Sequence, residues 1–191
     1  MTTSTAVVSV RDLVKSFGAT RAVRGVSLDI PAGSVFGLVG ENGAGKSTLA
    51  KLMSGIESPD SGTLSLNGRM VALRDPHEGI KAGISMMAQE IMLVPDATVE
   101  ENVFLGSLPR RGPFPDAKAM RRRFSDLVEL TEFDLDPTAK VATLRIADQQ
   151  KVEILRALSQ DADIIVMDEP SAALTKDEVQ RLHQSIREIA R

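Results

Sequence analysis

Nine consecutive residues, Gly40-Glu41-Asn42-Gly43-Ala44-Gly45-Lys46-Ser47-Thr48, have the types and spacing to do chemistry. A glycine, four residues of any kind and then Gly-Lys-Ser/Thr is the pattern of a P-loop, which wraps the phosphates of ATP or GTP. Its glycines let the backbone curl so that successive N–H groups point at phosphate oxygens. A helix opening at its end adds the positive pole of its dipole. Lys46 would reach the β- and γ-phosphates, and the Ser47 hydroxyl would hold Mg²⁺. The plain alternative is a glycine turn ahead of a helix.

A second stretch offers matching chemistry. Four apolar residues, Ile164 to Met167, run into Asp168-Glu169-Pro170. This is the form of a Walker B strand, whose terminal acid lies at the carboxyl edge of a parallel sheet. Asp168 would hold Mg²⁺ there, and Glu169 would polarise an attacking water. An acidic turn facing solvent is the other reading. Gln89 follows the strand-like run Ile84 to Ala88. There it could touch the metal or the water and link them to movement of the helices beyond; by itself it is an ordinary loop glutamine.

The elements that must position these residues follow from pattern. Val7–Val10 and Val23–Ile30 read as strands, with Phe17-Gly18-Ala19-Thr20 turning between them. Ser34 to Val39 is apolar and β-prone and leads into the P-loop. Thr48 to Ser54 is helical. Thr63 to Leu66 alternates like an antiparallel strand that stops at Asn67-Gly68. A short helix starts at Asp75-Pro76. From Thr98 to Phe133 the pattern is mostly helical, broken by Pro109, Pro113 and Pro115. Met120, Phe124, Leu127, Val128 and Leu130 line one face of its later part. A helix is expected near Ala147 to Leu158, a short buried strand at Ile164 to Met167, and a last helix from Lys176. Strand and helix alternate, so the fold is α/β with a largely parallel sheet and a small antiparallel layer beside it. A βα pattern usually continues with another strand, so the last strands of the sheet are expected to be missing.

Composition narrows the function classes. The chain has 191 residues, 42% hydrophobic and 26% charged, which is a globular balance. A net charge of −3 gives no overall positive field for nucleic acid. Arg110-Arg111 and Arg121-Arg122-Arg123 read as solvated faces. Without cysteine there are no disulfides and no thiolate metal ligands. No run is apolar enough to span a bilayer. With no Tyr or Trp and only six Phe, stacking on a base must come from a Phe or a His.

These motifs together resemble the ATP-binding cassette (ABC) ATPases, over about Val7 to Arg191. Gln89 matches that family's Q-loop residue, and Ser171 to Thr175 stand in the place of its D-loop. Phe17 falls where the family has an aromatic that stacks on adenine, although a half-buried core position is the other reading. The monosaccharide-importer branch fits best. Asp75 to Ile80, Met87 to Glu90, Thr98 to Gly106, and Thr175 where most of the family has Asp are all similar to it. In that branch two cassettes commonly share one chain, and this sequence resembles the first, truncated.

The resemblance implies a P-loop NTPase core with an antiparallel β subdomain and a helical subdomain. A single nucleotide-binding domain, residues 6–191, would divide at 6–90, 91–143 and 144–191. It further implies ATP and Mg²⁺ as ligands, with Lys46, Gln89 and Glu169 catalytic. Gly40 to Thr48 and Phe17 would bind nucleotide, and Ser47, Gln89 and Asp168 the metal. The partners implied are a second cassette, a membrane permease and, indirectly, a periplasmic solute-binding protein, on the cytoplasmic face of the membrane. A regulatory or translation-associated ATPase, or a binding-only cassette, is the alternative. Two departures stand out. The signature stretch is Leu144-Arg145-Ile146-Ala147-Asp148, with Arg145 in place of a serine and Asp148 in place of a glutamine. Asp148 would tend to repel a phosphate held by the opposite cassette. Neither His77 nor His183 occupies the position of the family's switch histidine, and residues 1–191 alone are expected to be weakly active at most.

Overall fold

The computed structural model describes residues 6–87, 92–168, 170 and 173–190. They form two compact units, one of residues 6–84 with 187–190 and the other of the described residues between 85 and 186. In the first, strands β1 (Ala6–Phe17) and β2 (Thr20–Pro31) form a long antiparallel hairpin. β3 (Ser61–Leu66) and β4 (Arg69–Val71) complete a four-stranded sheet in the order β2-β1-β3-β4. The turn between β3 and β4 has Asn67 and Gly68 both at positive φ, the type I′ geometry that Asn-Gly favours. Val8, Val10, Leu64 and Leu66 are buried at alternating positions, so one sheet face is apolar. Helix α1 (Lys46–Ser54) buries Leu49, Ala50 and Leu52 and packs near α2 (Pro76–Lys81). The Asp75 carboxylate caps α2 by accepting from the Glu78 N–H.

One expected strand does not form. Residues 34–40 belong to no strand, and Val35, Phe36 and Val39 are 59%, 47% and 93% exposed. Apolar, β-prone composition marks a segment that can enter a sheet, but a strand exists only with a neighbour's ladder. None of the described strands supplies one here.

The second unit is mainly helical. Helix α3 (Val99–Val103) opens with a capping box in which Thr98 and Glu101 bond reciprocally. Helices α4 (Ala117–Thr131), α5 (Ile146–Leu158) and α6 (Lys176–Ile189) surround a core containing Phe104, Phe124, Val152, Ile154, Leu155 and Leu182. The proline-broken stretch between α3 and α4 contains a two-stranded hairpin, Arg110–Arg111 against Phe114–Pro115 (β6 and β7). The face expected on α4 is the packed one, with Phe124 buried and Met120, Leu127 and Val128 against the core. The arginines there are not simply a solvated face. Arg121 makes a two-bond contact to the buried Glu100 of α3, and Arg123 binds Asp161 and the Ser159 carbonyl. Arg110, Arg111 and Arg122 are exposed.

β5 (Ile84–Met87) pairs with β8 (Ile164–Met167) in a separate two-stranded sheet. The expectation of a buried strand at 164–167 is corrected. Its four residues are all half-buried, and β5 is its one strand neighbour among the described residues. Among the described residues, no helix is long and apolar enough to cross a membrane.

Candidate functional site

The P-loop residues form a tight, exposed turn at the start of α1. The Ala44 N–H donates to the Glu41 carbonyl at 3.1 Å, and the Leu49 N–H to the Gly45 carbonyl at 2.8 Å. Gly43 and Gly45 sit at φ 81° and 92°, in the region that disfavours side chains. Gly45 has a second constraint, since a Cβ there would overlap the Ala22 carbonyl of β2. The hairpin and the loop therefore meet backbone to backbone, with no room for a side chain.

Lys46 is the first residue of α1. Its Nζ donates to the Gly40 and Glu41 carbonyls, each at 2.9 Å. The ammonium thus lies across the mouth of its own loop. No side chain caps the helix at Gly45, and its first turn carries no acid. Its leading N–H groups are left for another acceptor, and nothing negative competes with an anion. Ser47 and Thr48 follow, half-buried. This arrangement fits a phosphate: lysine, uncapped helix start and a loop that only glycine can form.

Phe17 ends β1, opposite Thr20, two residues from the Ala22 that backs the loop. It is 47% exposed, so it lies outside the core. The Lys15 ammonium stands 5.3 Å from the ring centroid, a cation–π contact. The hairpin end carrying this ring is tied to the P-loop through Ala22 and Gly45.

In the second unit, Asp168 follows β8 and its N–H donates to the Met87 carbonyl at 3.2 Å, which fixes the strand end beside that of β5. Gln89 and Glu169 lie outside the described residues, as do Ser171 and Ala172. Just beyond Gln89, the backbone is held firmly. The Glu153 carboxylate accepts from the Met92 N–H at 2.8 Å, and Arg156 donates to the Met92 carbonyl at 2.9 Å. Asn102, fully buried, bonds both the N–H and the carbonyl of Val94. Sequence reading missed this clamp, because its members lie up to 64 residues apart.

The signature stretch turns into α5. Leu144 packs against the core, and Arg145 takes the N-cap position with an extended backbone, exposed and making no capping bond. Ile146 is 68% exposed. Asp148 pairs with Lys151, whose Nζ lies 2.8 Å from its carboxylate. His77 and His183 are both exposed. Thr175 opens α6 with its own reciprocal cap. The Glu178 carboxylate accepts from the Thr175 N–H at 2.9 Å, and Thr175 Oγ1 accepts from the Glu178 N–H at 3.4 Å. Among the described residues, no group of three or more His, Cys, Asp or Glu could hold a metal ion.

Comparison with known proteins places this geometry. A family model described as "ABC transporter" matches residues 23–172. The ribose import ATP-binding protein RbsA of Rhodococcus jostii is 45% identical over 184 residues, covering 96% of this chain and 37% of that protein. The ribose import ATP-binding protein RbsA 2 of Streptomyces avermitilis is 46% identical, covering 95% and 36%. The chain thus spans little more than a third of the length of these curated relatives. Among solved structures, a nucleotide-free ATP-binding cassette from an ABC transporter superposes with TM-score 0.83 at 26% identity, over 97% of this chain and 77% of that one. The cassette MJ0796, in a dimeric post-hydrolysis state with ADP and Pi, gives 0.85 at 25% identity, over 96% and 82%.

Proposed function

Because the chain belongs to the ABC transporter family, we propose that it is the ATP-binding and hydrolysing part of an importer for a small solute, a monosaccharide first among candidates. The observation that carries the reading is the P-loop. Lys46 spans the loop, Gly45 allows the close approach to Ala22, and the α1 start is uncapped and free of acids. The relatives' names, ribose import ATP-binding proteins, support the solute class.

Gly40 to Thr48 bind the nucleotide phosphates through backbone N–H groups, and Lys46 releases its loop carbonyls to take the β- and γ-phosphates. Phe17 stacks on the base. Ser47, Asp168 and Gln89 are the residues we assign to Mg²⁺, which when bound supplies positive charge to the terminal phosphates. Glu169 polarises and orients the attacking water. Leu144 to Asp148 face the nucleotide of a second cassette, and closure between the two excludes water from both sites. Residues 91–143 form the helical subdomain that passes motion to a membrane permease at the cytoplasmic face, with a periplasmic binding protein delivering the solute.

The test is ATP-driven uptake by the full-length protein with its permease in proteoliposomes. Uptake of a pentose or hexose should require ATP and vanish with Glu169→Gln, while ATP binding persists. Wild-type rates of hydrolysis in Glu169→Gln would remove that carboxylate from the mechanism. ATP turnover without uptake of any solute would favour a cassette that does not transport.

A further inference from the structure

Lys151 is 8% exposed, and its ammonium bridges two carboxylates. Nζ lies 2.8 Å from Asp148 Oδ1 in the first turn of α5 and 2.7 Å from Glu178 Oε1 in the first turn of α6. The Phe133 ring lies 6.0 Å away and closes another side. The second oxygen of Glu178 is used by Thr175, whose N–H and hydroxyl both donate to Oε2 at 2.9 Å. The adjacent residue, Gln150, accepts the Ala173 N–H at 2.9 Å. A continuous chain of polar contacts therefore runs from Asp148 through Lys151 and Glu178 to Thr175, with a second tie beside it.

We propose that Lys151 is a positioning residue for ATP hydrolysis, locking the signature turn at 145–148 to residues 173–178, the stretch beyond Asp168. The inference rests on the functional reading above. In that reading residues 145–148 serve the nucleotide of the opposite cassette, while Asp168 and Glu169 serve the chain's own. Lys151 then links the element that completes one site to the element that follows the acids of the other. A shielded ammonium with two partners fixes that spacing more tightly than an exposed pair would, because loss of the lysine leaves two carboxylates facing each other unpaired in a partly dry setting. It also turns Asp148 from a lone anion near a phosphate into half of an ion pair.

The test uses the full-length protein with Lys151→Met and Lys151→Arg. Lys151→Met should lower ATP turnover at saturating ATP by about tenfold and leave the affinity for ATP within about twofold, the signature of lost positioning rather than lost binding. Amide exchange should accelerate at 145–150 and 173–178 and stay unchanged in residues 40–54. Lys151→Arg should recover most of the turnover. Asp148→Asn with Glu178→Gln, which removes both anions, should reproduce the lysine effect and serves if Lys151→Met does not fold. Wild-type turnover with unchanged rates and exchange in these variants would overturn the role of Lys151 alone. Wild-type protein with no Lys46-dependent turnover would overturn the hydrolytic reading itself; unaltered exchange would then still reject the cross-link.

Discussion

Lys46 Nζ donates to the Gly40 carbonyl at 2.9 Å, so the lysine that ends the phosphate loop ties back to the glycine that begins it. The bond holds the loop's shape and sets the ammonium where, on the proposed function, phosphate oxygens would replace the carbonyls. Lys46→Ala removes both the tie and the charge. ATP affinity, read by equilibrium binding of a fluorescent analogue, should fall at least about tenfold, as expected for loss of a charge-assisted contact.

Gly45 and Gly43 both have positive φ, but only Gly45 faces a backbone carbonyl. Gly43→Ala adds the strain of an L-residue in that region, about 1 kcal/mol. Gly45→Ala adds overlap with Ala22 as well and should cost roughly 2–4 kcal/mol, or move the loop off β2. Denaturant unfolding of the two variants side by side gives the comparison, and equal losses would contradict the close approach.

Glu178 is held down to about 2 from the usual 4.5, first by the Lys151 hydrogen bond and then by the Thr175 N–H. Burial pulls Lys151 down, but its bonds to Asp148 and Glu178 outweigh that and leave it raised, so the titration between pH 7 and 3 reads the carboxylate and not the ammonium. A carboxylate lowered on folding stabilises the fold fully above its unfolded value and loses that contribution as pH falls through its folded value. Glu178→Gln should therefore cost about 1–2 kcal/mol at pH 7, allowing for solvent screening of a partly exposed pair, with the difference shrinking from pH 5 toward pH 3. Urea titrations at pH 7, 5 and 3 read this directly. A difference that grows on acidification has the wrong sign for the account.

Asn102 is fully buried and bonds Val94 on both sides as well as the Thr98 carbonyl. Asn102→Ala leaves those groups short of partners and should cost about 2–3 kcal/mol. Exchange at the Val94 amide should rise well beyond the global change, since the clamp on residues 92–94 is what the substitution removes.

The site was legible where one short stretch carries its own geometry. Gly43, Gly45 and Lys46 announce a turn and a charge within four residues, while the close approach of Gly45 to Ala22 needed the fold. Asn67-Gly68 and Asp75-Pro76 likewise specify a turn and a cap locally. Segment 34–39 shows the limit, because Val35 and Val39 favour a strand but composition does not provide the neighbour that would pair with them. The proline-broken stretch after Gly106 hid the hairpin of Arg111 and Phe114, too short for a period to register. Asp148 and Lys151 are neighbours three positions apart on α5, but Glu178 is 27 positions from Lys151 on another helix, and only folding brings it to the same ammonium. Gln89 and Glu169 rest on motif and resemblance, since both lie outside the described residues.

On the proposed function, Lys46 and its loop hold ATP for hydrolysis. The most direct measurement is steady-state phosphate release by the full-length protein and by its Lys46→Ala variant, at matched concentrations of protein and Mg-ATP. Measurable turnover is expected in the wild type, with a fall of about a hundredfold or more in the variant. Equal rates in the two proteins would contradict that role for Lys46.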